Sequence, residues 1–533
     1  MNRSLSRACI ALVVLASQSG LAADSPAAAG FGYRPDGMMM WDTWFVEDHG
    51  QVHMFHLQHL APGSKRSALE ADHIGHAVSR DLIHWTEQPL TVGPGAAGGL
   101  DDMPPWTGCA VAREGTCHLF YTMRSSRENA RCQRIGLATS RDFVHWSRHP
   151  LNPLIRPDAR WYVHEDKPEP GSKVGCRDLV VVRDPSGDGW LGFYAATVPA
   201  EEEAEGACIA AVRSRDLIHW EHLPPVFQPK RYGEVEVPDV FRLGGKWWMT
   251  CLTSHGHGNR GGFADPHVVK GTICAVADRP EGPYREPAGD NIVFGGDDTG
   301  GISLRSVEFA GKRYAFFTEG PRLSPPMELG VARDGRLRLL WSERQNAWRG
   351  AAQLGTTPPA PTALRTHGSG AIGGGRWELT ADGTYRGIAR TGWQVGDLSV
   401  GATNMEVEAS LTLVSGVAAG LVVRADRQSP QAAGDFVIGL DAKDRCAFAT
   451  RLPMFFPANQ RAFPLELGRA YRLRLYVRDE RYELFVDDAL VLQGAFPAAF
   501  RRTDASLGLL VDRGEAVVER VGIYRQDPRG KPK

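Results

Sequence analysis

Four carboxylates and one arginine stand where this chain could do acid–base or nucleophilic chemistry: Asp42, Asp178, Glu234, Glu236 and Arg177. Glu234 and Glu236 are two apart in E-V-E-V-P, so an extended backbone puts both on one face and Val235 and Val237 on the other. Carboxylates that close cannot both ionise freely. One pKa should rise, which is the condition for a general acid near neutral pH. The bland reading, a solvated edge strand, fits poorly with the apolar V-F-R-L-G-G-K-W-W-M hairpin that follows. Arg177-Asp178 opens the apolar run D-L-V-V-V, where neighbouring residues face opposite sides, so the pair is either split across the strand or a structural ion pair. Asp42 lies in W-D-T-W, either a functional carboxylate between tryptophans or the cap of a turn.

The elements that must position these groups are announced by a repeat. Ser79–Trp85 reads S-R-D-L-I-H-W, Ser140–Trp146 reads S-R-D-F-V-H-W, and Ser214–Trp220 repeats the first; the starts are 61 and 74 residues apart. That spacing suits a four-stranded propeller blade with long loops. Each copy follows an apolar run (Gly75 to Val78, Ile135 to Thr139, Cys208 to Val212), so the chain is expected to cross a sheet, turn through the Asp side chain and place the Trp on an outer strand. Asp278 to Tyr284 and Arg333 to Trp341 are degenerate copies, giving an expected five blades over 31–355. Asp42, Asp178 and Glu236 then fall at the starts of blades one, three and four, where an innermost strand turns polar groups into the central funnel.

Residues 356–375, rich in Pro, Thr and Gly, read as a linker. Beyond them Tyr471 to Val477 and Tyr482 to Val486 alternate cleanly between short acidic turns, predicting a β-sandwich of concanavalin-like type over 376–526. The fold class expected is therefore all-β, a five-bladed β-propeller followed by a β-sandwich.

With 533 residues, a formal net charge of −1 and no basic run, the chain has material for two domains and no electrostatic case for nucleic acid or anionic membrane as partner. Arg3 and Arg7, the apolar Ala8 to Ala16 and the small residues through Ala23 read as a signal peptide over 1–23, implying an exported, periplasmic or secreted protein without membrane insertion. Eight of the nine cysteines lie beyond it, and export permits disulfides; several sit in strand-like runs where a buried thiol is equally sensible. No CxxC pair offers metal spacing, and His255, His257 and His267 read as a Gly-rich rim, so neither metal nor other cofactor is expected. Oligomeric state is open.

These motifs resemble the invertase and levansucrase families, glycoside hydrolase families 32 and 68, over about Tyr33 to Gln526. W-D-T-W at 41–44 is similar to the levansucrase nucleophile motif. H-M-F-H-L-Q at 53–58 and the run through Trp85 resemble the invertase pattern, and W-T-G at 106–108 resembles W-S-G. C-R-D at 176–178 resembles R-D-P, and E-V-E-V-P at 234–238 resembles both E-C-P and E-I-E-R-P. The resemblance implies a β-fructofuranosidase-like enzyme taking an oligo- or polysaccharide, with Asp42 as nucleophile, Asp178 as transition-state stabiliser and Glu236 as acid/base. Glu234 and Arg177 would hold substrate or tune Glu236, and Trp41, Gln58 and Trp106 would line the first sugar subsite. The chain departs from the family pattern in lacking N-D-P-N-G, in Leu179 for the proline of R-D-P and in Val237 for the cysteine of E-C-P. The carboxylates remain; the sugar is left open.

Two rivals share these residues. An inverting arabinanase/xylosidase-type propeller would use Asp42 to activate water, its carboxyls roughly 6.5–9.5 Å apart instead of about 5–5.5 Å. A non-catalytic carbohydrate-binding protein would keep its affinity without the carboxylates.

Overall fold

The computed structural model describes residues 31–527 apart from 166–173, 201–205, 231, 233, 254–270, 289–290, 296–302, 320, 333, 353–359, 362, 368–374, 401–402, 426–434, 453–456, 498–499 and 501–506. The signal-peptide reading and His255, His257 and His267 lie outside the described residues.

Antiparallel four-stranded sheets follow one another along the chain. β1 (Met38–Asp48), β2 (Gln51–Leu60), β3 (Gly75–Ser79) and β4 (Thr86–Glu87) form the first, and β5 (Trp106–Arg113), β6 (Thr116–Met123), β7 (Arg134–Ser140) and β8 (Ser147–Arg148) the second. The third holds β9 (Cys176–Arg183), β10 (Trp190–Thr197), β11 (Ala207–Ser214) and β12 (Trp220–Phe227); the fourth holds β13 (Glu236–Leu243), β14 (Lys246–Thr253), β15 (Gly271–Ala277) and β16 (Ile292–Gly295). After them β17 (Leu304–Phe309) pairs with β18 (Lys312–Glu319), which also pairs with the short β19 (Arg322–Leu323) and with β20 (Met327–Val331); β20 pairs with β21 (Leu337–Leu340). These last strands are not a separate sheet. Leu340 pairs with Ala489 and carries the ladder into the C-terminal strands, so the fifth blade expected from the sequence is here merged with the following domain.

The first strands of the five sets are neighbours in the cyclic order β1, β5, β9, β13, β17, β1. Buried side chains fill each gap: Phe55 and Tyr121 share a cluster between the first and second sheets, Phe120 and Tyr194 between the second and third, and Phe193 and Met249 between the third and fourth.

The repeat is a turn with a fixed hydrogen-bond pattern. The Ser79 hydroxyl accepts the Asp81 and Leu82 N–H groups, and Asp81 Oδ1 accepts those of Ile83 and His84. Asp216 and Ser214 repeat all four bonds. Leu82, Phe143 and Leu217 each take the left-handed backbone (φ +67°, +60° and +70°) that this turn demands. The aromatic that ends each copy then packs edge-on against a phenylalanine from the second strand of the preceding sheet: Trp146 on Phe55 at 5.9 Å, Trp220 on Phe120 at 5.9 Å and, from a degenerate copy, Tyr284 on Phe193 at 6.3 Å. The last copy is different. Trp341 donates its indole N–H to Tyr476 at 2.8 Å and lies 3.4 Å under the Arg474 guanidinium, both in the C-terminal domain.

That domain is β-rich, its 20-residue final strand Leu507–Gln526 pairing with Tyr385–Val400, Met405–Ser415 and Ala418–Ala425 over a core that includes Leu421, Leu473 and Leu509. The acidic turns expected there are present: Asp479, Asp487 and Asp488 all have positive φ between paired strands. Ala363–His367, inside the expected linker, is itself a strand paired with Tyr385–Val400. Among the described residues all eight cysteines are buried free thiols, which settles for the thiol reading at these positions. No helix among the described residues is long and apolar enough to cross a membrane.

Candidate active site

Four of the five inner strands carry a β-bulge near their starts. Two residues face one across the ladder at Trp41-Asp42 opposite Leu57, Thr107-Gly108 opposite Tyr121, Asp178-Leu179 opposite Tyr194, and Val237-Pro238 opposite Cys251. A bulge bends its strand and re-aims a side chain that simple alternation would send elsewhere. Two of these positions are also strained: Asp178 has φ +61° and Val237, a β-branched residue before proline, φ +48°. Gly108 is required at its bulge, because a Cβ there would lie 1.9 Å from the Phe120 carbonyl oxygen.

The bulges bring the predicted carboxylates together. Asp42 is gripped by two hydroxyls, Thr107 donating to Oδ2 at 2.5 Å and Ser303 to Oδ1 at 2.9 Å. Asp178 is buried; its Oδ2 accepts the Val237 N–H at 3.0 Å and its own N–H reaches Thr122 Oγ1 at 3.1 Å. Burial pushes the Asp178 carboxyl up to about 7; Arg177 opposes this, while the negative charges of Glu236 and Asp42 add to it. Asp178 therefore sits within electrostatic reach of both other carboxylates.

Arg177 does not point away from Asp178 as strand alternation suggests. The bulge leaves its Nε 3.6 Å from Asp178 Oδ2. From there it donates to Glu236 Oε1 through Nε (3.1 Å) and Nη2 (3.0 Å), to Glu234 through Nη2, and to Gln133 Oε1 through Nη1 (3.2 Å). Burial works against the guanidinium charge, but Glu234, Glu236 and Asp178 together raise its pKa. The direct repulsion expected between Glu234 and Glu236 is thus mediated by one shared cation, and Glu234 lies just outside β13 instead of on its face.

Trp41 and Trp106 are half-buried against the same core cluster. Trp41 packs obliquely on His59 at 5.2 Å, and one face of Trp106 is covered by Arg124 at 3.9 Å, so both candidate sugar platforms are partly engaged by protein. Gln58 is buried and gives its amide N–H to the Glu70 carbonyl at 3.0 Å; among the described residues no hydrogen bond ties it to Asp42, Asp178 or Glu236. Thr107, Ser303, Thr122 and Gln133 were not legible as site residues, since hydroxyl and amide groups of this kind carry no spacing signal; only Thr107, inside W-T-G, had a motif beside it. Glu128, Cys132 and Glu165 have the mutual spacing of a metal group, but Arg134 donates to both glutamates, so the charge a cation would meet is already compensated.

The sequence model described as the glycosyl hydrolases family 32 N-terminal domain matches residues 35–275, the stretch that carries all of these groups except Ser303. A sucrose-6-phosphate hydrolase of Zymomonas mobilis is 27% identical over 229 residues, 40% of this chain and 41% of that protein. A raffinose invertase of Escherichia coli is 25% identical over 224 residues, with the same shares covered. The chain thus spans about two fifths of the length of the curated relatives it matches. Among solved structures, a sucrose-6-phosphate hydrolase from Lactobacillus gasseri superposes with a TM-score of 0.67 at 15% identity, covering 97% of this chain and 96% of the other. An exo-inulinase from Aspergillus awamori gives 0.64 at 17% identity, covering 95% and 99%. At these identities the structures establish the fold. The strands that hold Asp42, Asp178 and Glu236 lie in a stretch similar to the family 32 N-terminal domain, within a chain that folds as the solved hydrolase and exo-inulinase do.

Proposed function

We propose that the protein is an exported, retaining glycoside hydrolase of β-fructofuranosides, its five inner strands closing a propeller funnel around the cut bond. Asp42, oriented by Thr107 and Ser303, attacks the anomeric carbon as Glu236 gives a proton to the leaving oxygen. In the second half Glu236 takes a proton from water, whose oxygen displaces Asp42 from the same carbon. Asp178, as a buried carboxylate on sugar hydroxyls, stabilises the oxocarbenium-like charge that develops. Glu234 and Glu236 share the one Arg177 guanidinium, which fixes the Glu236 carboxyl in place.

The observation that carries this reading is the electrostatic grouping of Asp178 with Asp42 and Glu236, from three separate strands. The names of the relatives support sucrose-type substrates. Anomeric NMR of products from sucrose, inulin, levan and arabinofuranosides, with Asp42→Ala alongside, tests it. Fructose released with retained configuration and lost in the variant is expected; inverted product would make Asp42 a base, and no turnover with sugar binding intact would make the protein a carbohydrate binder. Export is tested by finding the mature chain, shortened at its N-terminus, outside the cytoplasm.

A further inference from the structure

A cavity of about 540 Å³ lies away from Asp42, Asp178 and Glu236. On each bulged strand its lining residues follow the bulge: Trp44 after Asp42, Cys109 after Gly108, Val180 after Leu179, Asp239 after Pro238. It is therefore the opposite half of the same central channel.

Arg305, on β17, lines this cavity and is 3% exposed. Among the described residues its guanidinium makes one hydrogen bond, a long 3.4 Å contact from Nη2 to the Asp178 carbonyl oxygen; its buried Nε has no partner there and no carboxylate pairs with it. A buried, uncompensated guanidinium is costly, and such charges are ordinarily paired. The carboxylates of the wall are committed elsewhere. Asp239 accepts the N–H and hydroxyl of Ser306, Glu308 faces Arg313 at 3.6 Å, and Glu47 accepts the Gly50 N–H.

We propose that this half of the channel is a binding site for a small monovalent anion of the halide class, held by Arg305. Val180, Val182, Val240 and Val307 supply an aliphatic part of an otherwise polar wall, against which a weakly hydrated ion can rest. The wall carboxylates Glu47, Asp239 and Glu308 repel a doubly charged anion twice as strongly as a singly charged one, which favours the monovalent ion. Because Arg305 also touches the backbone of Asp178, an anion there braces the strained turn that holds the buried carboxylate.

The test needs no substrate. Full-length protein freed of halide is titrated with chloride and followed by chlorine-35 NMR line broadening, and crystals soaked in bromide are examined for anomalous scattering. Saturable broadening and a bromide peak beside Arg305 are expected. Arg305→Gln should abolish both. Cys109 lies close enough to Arg305 to feel its charge, so Cys109→Asp supplies a built-in carboxylate and should also exclude the ion; this variant decides the matter if Arg305→Gln does not fold. No peak in the cavity, or broadening unchanged in the folded variants, would overturn the site.

Discussion

Trp85, from the first sheet, meets Phe316, from β18 in the last, edge-on at 6.1 Å with an interplanar angle of 84°. Trp146 and Trp220 make the same contact with the sheets before theirs, so this pair is where the end of the propeller stands in for a predecessor to its beginning. Met40, Met54, Val307 and Tyr314 pack in the cluster around it. The junction also sets the distance across which Ser303 reaches Asp42, residues 261 positions apart in sequence.

Replacing Phe316, fully buried, by Ala should cost about 3–5 kcal/mol, the range for loss of a buried aromatic. If the pair closes the ring, activity should fall as well, because Ser303 and Asp42 come from the two sides of the junction. Urea unfolding together with kcat checks this. A large loss of stability with kcat unchanged would mean that the ring is held elsewhere.

Asp42→Ala removes the group proposed to attack the sugar while leaving its buried surroundings apolar and hydroxylic. A fall in kcat of about 10⁴-fold or more is expected, the size seen when a nucleophile is removed from a working set, with the urea midpoint little changed. A fall of only about tenfold would show that Asp42 positions substrate and does not attack.

The blade plan was readable because its signals are local: the Ser and Asp of each repeat satisfy their own turn, and even the degenerate copy ending at Tyr284 makes its expected packing contact. The placement of two carboxylates was readable for a related reason, Asp178 and Glu236 standing near the starts of apolar strands, whereas Asp42 lies within β1 at its bulge. What alternation could not give was orientation. A bulge shifts the period-two pattern by one residue, so Arg177 and Asp178 end on the same side and Arg177 reaches the next blade's glutamates. The last blade was predicted as free-standing because nothing near Trp341 announces Tyr476, 135 residues on.

Asp178 should destabilise the fold as pH rises. Its folded pKa, about 7, lies above the 3.8 of an ordinary aspartate, so the folded protein holds a proton that the unfolded chain has released between these values. The stability contributed by that proton is complete below about pH 4 and is lost through pH 7. Asp178→Asn keeps an oxygen for the Val237 N–H without the charge. It should be more stable than the parent above about pH 7, by at most about 4 kcal/mol, and inactive. Equal midpoints for the two proteins across this range would show that Asp178 is ionised throughout.

Three buried histidines of the first sheet should act in the opposite direction. His53 Nδ1 lies 3.0 Å from His76 Nε2, and the His76 ring stacks 4.8 Å from Phe55 while His53 stacks 3.7 Å from Phe143. Burial lowers His53 and His56 to about 4 and His76 to about 3, with His53 and His56 also lowering His76. Between these values and the 6.5 of an ordinary histidine the unfolded chain takes up protons that the fold refuses, so stability is full above pH 6.5 and drains away as pH falls toward 4. His76→Phe preserves an aromatic ring against Phe55 and removes one such proton. Its urea midpoint should therefore fall less steeply than the parent's between about pH 7 and pH 4.5. Identical slopes would mean that His76 takes up its proton equally in the folded and unfolded states and that the acid lability resides in other groups.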